Sequence, residues 1–289
     1  MNRLQYIQNS VLIAENMKSK IAKILPFFCC FTLGLTPMVA YGQLSVSPLT
    51  IQRKAESGQA RGVIEISNNS NKPYRARVSL SPFTYNREGL QILQSSPNDL
   101  TPYLTFSPRE LVIAPGQQRS IRFNARLLPS LPQGEYRAMF SVEELQDNSS
   151  TQANQVSIAV NIAATIYVIN GDFVPKVGVE KAFYDGQKKQ IRLLVNNTGE
   201  ATTRAKTEWN LSQDGKTVNS GKVEETTIIA KGKRYIQISY PPQGKTLTPG
   251  NYQLSGKLSW NAKNAENLPF NLNLTVSPAD INPGKKPPQ

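Results

Sequence analysis

The sequence has no histidine and only two cysteines among its 289 residues. Without an imidazole, neither Ser-His-Asp nor Cys-His catalysis is possible. The two cysteines, Cys29 and Cys30, are adjacent and lie in an apolar N-terminal stretch, so they do not have the spacing of zinc ligands. The sequence also has no glycine-rich phosphate loop between a strand and a helix. We therefore predict that the protein is not an enzyme and uses no metal or cofactor.

Long apolar runs are scarce, and the one that stands out lies near the N-terminus. Residues 1–23 hold four basic side chains and one acid, and Ile24 to Val39 carries no charge. Ala40-Tyr41-Gly42 then supplies the small-x-small pattern of a cleavage site. We expect residues 1–42 to be a cleaved signal peptide, with no membrane insertion afterwards. A retained membrane anchor is the alternative, which the shortness and the prolines of the apolar run disfavour.

Acidic residues are fewer than basic ones, with 20 Asp and Glu against 33 Lys and Arg and a net charge of +13. Such a surplus can attract nucleic acid, anionic lipid or an acidic polypeptide. The basic residues are scattered along the chain and are not interleaved with aromatic residues. We interpret them as a solvated surface and predict no nucleic-acid partner.

Short segments with alternating apolar and polar residues recur throughout the chain, and no stretch carries a helical stripe. Clear examples are Val63–Ile66, Ala76–Leu80, Ser120–Phe123, Ile191–Val195, Tyr235–Ile238 and Phe270–Val276. Turn signals such as Asn-Asn, Pro-Gly and Asp-Gly separate them. Many short strands at this spacing predict antiparallel β-sandwiches.

The two halves of the chain repeat each other. The shared landmarks are an apolar strand ending in Asn-Asn at residues 66–69 and 194–197, a turn before an alternating strand at 114–123 and 230–240, and a Gly-x-Tyr turn at 134–136 and 250–252. Tyr136 and Tyr252 therefore suit tyrosine corners, whose hydroxyl bonds to nearby backbone. We predict an all-β chain of two tandem immunoglobulin-like β-sandwich domains, residues 43–169 and 170–277. The proline-rich tail, residues 278–289, should be disordered.

The stretch from Gln155 to Ile169 carries no charge, and its first half alternates strictly. Its apolar positions are Val156, Ile158, Val160 and Ile162. One interpretation is a last strand whose apolar side chains face its own core. The other follows from its length of 15 residues, since strands usually have about 5 or 6: the strand offers an edge to a partner sheet. Burying the four side chains would supply roughly 6 to 12 kcal/mol before ordering costs.

The sequence resembles the periplasmic pilus-assembly chaperones of the PapD-like family over most of the chain after residue 42. The resemblance rests on residues 43–52, 66–69, 111–116, 121–123 and 131–144 and on the alternating strand at Val156. It implies two immunoglobulin-like domains, a periplasmic location and partners that are pilin-like exported subunits lacking a final strand. It also implies that Val156, Ile158, Val160 and Ile162 form the lent strand and that an outer-membrane usher is a further partner.

One part of the family pattern is missing from this sequence. The family holds the C-terminal carboxylate of the subunit with an arginine in the first strand and a lysine in the lent strand. Matching the landmarks puts Gln52 and Thr165 at these places. Because Arg53 adjoins the first place, Arg53 and Thr165 are the candidate carboxylate contacts in the cleft. Neighbours in a strand point to opposite faces, so Arg53 would need a bulge or a one-residue slip to take part.

Two further functions stay open at this point. The first is a structural or adhesive cell-surface protein made of tandem immunoglobulin-like modules. The second is an exported module that binds carbohydrate by stacking it on Trp209 or Trp260.

Overall fold

The computed structural model describes residues 44–145, 161–242, 245–260 and 266–281. These ranges consist of strands with almost no helix, which confirms the predicted all-β class. Within them, no helix is long and apolar enough to cross a membrane. The predicted signal peptide, residues 1–42, lies outside the described residues.

The first sandwich contains eleven of the described strands and one 3-10 turn. They are β1 (Leu44–Ser47), β2 (Thr50–Lys54), β3 (Gln59–Asn68), β4 (Tyr74–Ser81), β5 (Phe83–Tyr85), β6 (Leu90–Ile92), the turn Thr101–Tyr103, β7 (Leu104–Ser107), β8 (Glu110–Ile113), β9 (Gln118–Arg126), β10 (Gly134–Glu144) and β11 (Asn161–Asn170). One sheet has the order β1-β3-β9-β7 and the other β2-β11-β10-β4-β8, while β5 and β6 form a separate hairpin.

The second sandwich follows after a short connection. Its elements are β12 (Val177–Asp185), β13 (Gln190–Asn197), β14 (Thr203–Gln213), β15 (Lys216–Ile228), β16 (Gly232–Ile238), β17 (Gly250–Trp260), β18 (Glu266–Val276) and the short helix α1 (Pro278–Ile281). Its sheets have the orders β12-β13-β16 and β15-β14-β17-β18. Two sandwiches in tandem are what the repeated landmarks predicted. The proposed domain ranges, 43–169 and 170–277, stay a prediction.

Period-two alternation builds a separate core in each sandwich. Ile64, Ile66 and Ile121 are fully buried in the first core, and Ile191 and Leu193 are fully buried in the second. Their polar neighbours face away from the core, as alternation requires. Arg192, between Ile191 and Leu193, is buried all the same.

Helix α1 consists of the first four residues of the predicted tail, and the prediction of a disordered tail stays a prediction. Asp280 accepts hydrogen bonds from the backbone N–H and the hydroxyl of Ser277, both at 2.7 Å, and Ile281 packs against the second core. A capped turn with an apolar residue on the core has a reason to be ordered. The remainder of the predicted tail lies outside the described residues.

The tyrosine corners are confirmed in both sandwiches. The Tyr136 hydroxyl donates to the carbonyl of Pro132 at 2.8 Å, and the Tyr252 hydroxyl donates to that of Thr248 at 3.0 Å. Each bond ties the start of a late strand to the turn before it.

Strands β1 and β2 follow each other directly in the chain but pair with different sheets of the first sandwich. β1 pairs antiparallel with β3 only over Glu65–Asn68, and β2 pairs parallel with β11 only from Thr165 to Ile169. The chain therefore crosses from one sheet to the other between Ser47 and Thr50. Consequently, no described strand pairs with β3 before Glu65 on the side that faces β1. Likewise, no described strand pairs with β11 before Thr165 on the side that faces β2.

Candidate functional site: the open side of β11 and the junction of the sandwiches

The open side of β11 lies at its N-terminal end. The Thr165 N–H donates to the Leu49 carbonyl at 2.9 Å, so this residue directs its main-chain groups toward β2. Alternate residues of a strand direct these groups to the same side, so Ala163 does so too. Among the described residues, no strand pairs with Ala163 on this side. An incoming strand would find an unpaired N–H and C=O there.

The predicted donor residues fall only partly within the described chain. Ile162 is half-buried and packs against the first core, which matches the interpretation that this face of the strand turns toward its own sandwich. Val156, Ile158 and Val160 lie outside the described residues, so their role as donors stays a prediction. Ala163 is exposed, and Leu49, at the end of the open side, is 56% exposed.

The candidate carboxylate contacts are not brought together. Thr165 lies opposite Thr50, with 3.3 Å between their hydroxyl oxygens, and is buried. Arg53 lies opposite Val168, three positions further along an unbroken register, which is about 10 Å away. The Arg53 guanidinium is exposed and donates to the carbonyl of Gln52 at 3.0 Å. The bulge that would turn Arg53 into the cleft is not present in β2.

Gln52 itself contacts the second sandwich. Its side-chain amide donates to the Thr202 carbonyl at 2.9 Å. Gln52, which the resemblance matches to the arginine of the family's carboxylate contact, is therefore already hydrogen-bonded within this chain.

Glu135 makes the shortest hydrogen bonds to Thr202. No pattern in the sequence predicts this contact. The Glu135 carboxylate accepts a hydrogen bond from the Thr202 hydroxyl at 2.5 Å and one from the Thr202 N–H at 2.6 Å. The Arg137 guanidinium lies 3.4 Å from the carboxylate, and the side chains of Glu135 and Arg137 are only 1% and 9% exposed. The Thr202 hydroxyl also accepts from the Ala230 N–H at 3.0 Å. Thr202 is thus held by groups of both sandwiches.

Burial dominates the electrostatics of this junction. It raises the pKa of Glu135, although the Thr202 bonds and Arg137 act in the opposite direction. It also lowers the pKa of Arg137. An ion pair withdrawn from water stabilises a structure only when its hydrogen bonds are well made. The two short bonds to Thr202 meet this condition for Glu135.

The β5–β6 hairpin makes a second contact between the sandwiches. The Arg192 guanidinium donates to Glu88 at 2.6 Å and to Asp185 at 3.0 Å, and it lies 4.0 Å above the ring of Tyr235. The Tyr235 N–H donates to the carbonyl of Arg87 at 2.9 Å. The Arg192 side chain is 6% exposed and that of Glu88 is 47% exposed, so the guanidinium is shielded from solvent while the carboxylate stays accessible to water and salt.

The structure offers little for the carbohydrate interpretation. Trp209 is 8% exposed in the second core and lies directly over Gly221. Trp260 also packs against that core. The buried ring of Trp209 has no free face on which a sugar can stack, and Trp260 is partly buried. Among the described residues, no three His, Cys, Asp or Glu side chains cluster in a way that would hold a metal ion.

The chain is similar in structure to fimbrial chaperones. It matches the class 5 fimbriae chaperone CfaA with a TM-score of 0.46 and 14% identity over 79% of this chain and 98% of that one. It matches the YadV chaperone with a TM-score of 0.47 and 12% identity over 79% and 100%. A chain of the CsuC–CsuE chaperone–tip adhesion subunit pre-assembly complex from Acinetobacter baumannii gives 0.44 and 12% over 82% and 100%. No family model and no curated protein matches the sequence.

Proposed function

We propose that this protein is a non-enzymatic periplasmic chaperone that stabilises exported pilin-like subunits by lending them a β-strand. The lent strand is the segment from Val156 to Ile162, and residues 1–42 direct export. The observation that carries the proposal is the open side of β11 before Thr165, which continues an uncharged, alternating run. An outer-membrane usher would receive the loaded subunit.

The chemistry of the edge supports strand donation. Edge strands are normally protected by charge, proline or a bulge, because unpaired N–H and C=O groups attract other chains. The run from Gln155 to Ile169 has neither charge nor proline. A partner strand would form main-chain hydrogen bonds with the lent strand, and alternate side chains of the lent strand would enter pockets of the partner.

The strand crossing sets the end of the incoming strand. Since β2 already occupies the side of β11 from Thr165 onward, a partner strand can pair only as far as Ala163. Leu49 would then contact its last residues with an exposed apolar side chain. The hydroxyls of Thr50 and Thr165 lie where β2 joins β11, so a carboxylate terminus that reached them would meet neutral groups. Arg53 keeps its role as a candidate contact only as a prediction.

The proposal is tested by isolating the protein from a native periplasmic extract and identifying bound proteins by mass spectrometry. We expect a small exported subunit that lacks a final strand. Ile158→Asp and Val160→Asp should each abolish its recovery, because a charge on this face cannot enter an apolar pocket. Val218→Asp, at an exposed valine of the second sandwich, is the matched control and should retain the subunit. Equal recovery from all four proteins, or no subunit at all, would contradict strand donation.

A further inference from the structure

Basic residues of two consecutive strands, β2 and β3, meet in a groove beside the turn that joins them. The groove has a volume of about 340 Å³ and is lined by Arg53, Lys54, Glu56, Gln59, Ala60 and Arg61. It exists because the first strand leaves β3 to join β11 in the other sheet. From Ala60 to Ile64, β3 pairs with β9 on one side and with no described strand on the other.

A second depression adjoins this groove. It has a volume of about 520 Å³, spans β3, β9 and β7, and shares Arg61 with the groove. Val63, which is 43% exposed, and Arg122 also border it. The combined surface therefore offers an unpaired strand edge, an apolar side chain and several cations.

The charges of this surface are largely uncompensated. Glu56 is the one acid among the residues that line the two depressions. Arg53 and Arg61 donate only to uncharged oxygens, those of Gln52 and Gln59, and Arg122 makes no ion pair with the described residues. Lys54 pairs with Asp172, but both side chains are more than half exposed, so the pair contributes little.

We propose that this surface binds an extended acidic polypeptide segment, separately from the open side of β11. The cations favour an anionic ligand. The free edge of β3 selects a polypeptide, because only another backbone supplies N–H and C=O groups at strand spacing. A lipid headgroup or a nucleic acid would satisfy the charges and leave that edge unpaired. Val63 would pack against an apolar side chain of the incoming segment.

The test uses a fluorescently labelled peptide with the repeat Glu-Ser-Val-Ser, which presents Glu and Val in turn on one face as Arg61 and Val63 require. A peptide of the same length with Gln in place of each Glu, the Gln-Val peptide, is the uncharged probe. We expect the full mature chain to bind the acidic peptide, and binding to weaken as salt is raised. The double variant Arg53→Gln and Arg61→Gln should bind about fivefold more weakly. Arg77→Gln, which removes an exposed arginine paired with Glu110 on the other sheet, should bind as the wild type does.

Hydrogen exchange distinguishes pairing at the free edge of β3 from non-specific electrostatic attraction. Exchange of the backbone amides from Ala60 to Ile64 should slow when the acidic peptide is bound and should be unaffected by the Gln-Val peptide. Three results would each overturn the proposal. The first is equal affinity for both peptides. The second is a loss of affinity in Arg77→Gln as large as that in the double variant. The third is binding to phosphatidylglycerol vesicles with no binding of the acidic peptide.

Discussion

Replacing Glu135 by alanine should uncouple the two sandwiches. The change removes two hydrogen bonds to Thr202 and leaves the Arg137 guanidinium buried without its carboxylate partner. Breaking a buried pair by removing one partner typically costs about 3 to 5 kcal/mol, because a buried charge is left uncompensated. Relief of the burial of Glu135 itself offsets part of this cost, so we expect a loss of about 3 kcal/mol in the free energy of unfolding.

Urea unfolding followed by two probes measures this effect. Trp209 and Trp260 are both in the second sandwich, so tryptophan fluorescence reports that sandwich alone, whereas far-ultraviolet circular dichroism reports both. The two transitions should coincide in the wild type and separate in Glu135→Ala. Glu110→Ala, which removes an exposed ion pair with Arg77, is the control and should cost less than about 1 kcal/mol.

A double-mutant cycle with Thr202→Val isolates the contact itself. Valine keeps the shape of threonine and removes only the hydroxyl that donates to Glu135. We expect a coupling energy of about 1 to 2 kcal/mol between the two changes. Strictly additive effects, or coincident transitions in Glu135→Ala with a loss below about 1 kcal/mol, would refute the reasoning that this contact joins the sandwiches.

Three further predictions follow from the packing and the burial of single groups. Burial raises the pKa of Glu135, so the folded protein binds this proton at a higher pH than the unfolded chain. The wild type should therefore gain stability relative to Glu135→Gln as pH falls through the folded-state pKa toward the lower pKa of the unfolded chain, measured by urea unfolding at each pH. Tyr136→Phe loses one hydrogen bond and should cost about 1 kcal/mol in thermal unfolding. Tyr252→Phe loses contacts with both the carbonyl and the hydroxyl of Thr248 and should cost at least as much, and the two effects should add because the tyrosines lie in separate cores. Gly62→Ala should cost about 1 to 3 kcal/mol, because its new Cβ would lie 2.3 Å from the buried ring of Phe123, which must move.

The parts of the fold that could be predicted from the sequence are those set by local pattern. Alternation along each strand determines which residues face the core, so the strands and the paired sandwiches follow from the order of the residues alone. The tyrosine corners depend on a turn four residues away, at Pro132 and Thr248. A motif of that length is fully visible in the sequence.

The junction and the basic groove depend on contacts that no local pattern contains. Glu135 and Thr202 are 67 residues apart, and Glu135 occupies a strand position where an acid would ordinarily face solvent. Arg53 and Arg61 lie on consecutive strands, but Arg122 is distant in the sequence and reaches their surface only because β9 pairs with β3. The sequence pattern therefore indicated no more than a general solvated surface for the basic residues.

The crossing of the first strand explains why the first sandwich has two different edges available. One strand of limited length cannot cover both β3 and β11, so each keeps an unpaired segment, at Ala60–Ile64 and before Thr165. The first segment is bordered by cations, and the second continues an uncharged run. An acidic partner and an apolar, uncharged partner should therefore bind at separate edges. Occupation of one edge leaves the main-chain groups of the other free. An acidic peptide should accordingly bind with the same affinity to the free chain and to the chain loaded with a subunit.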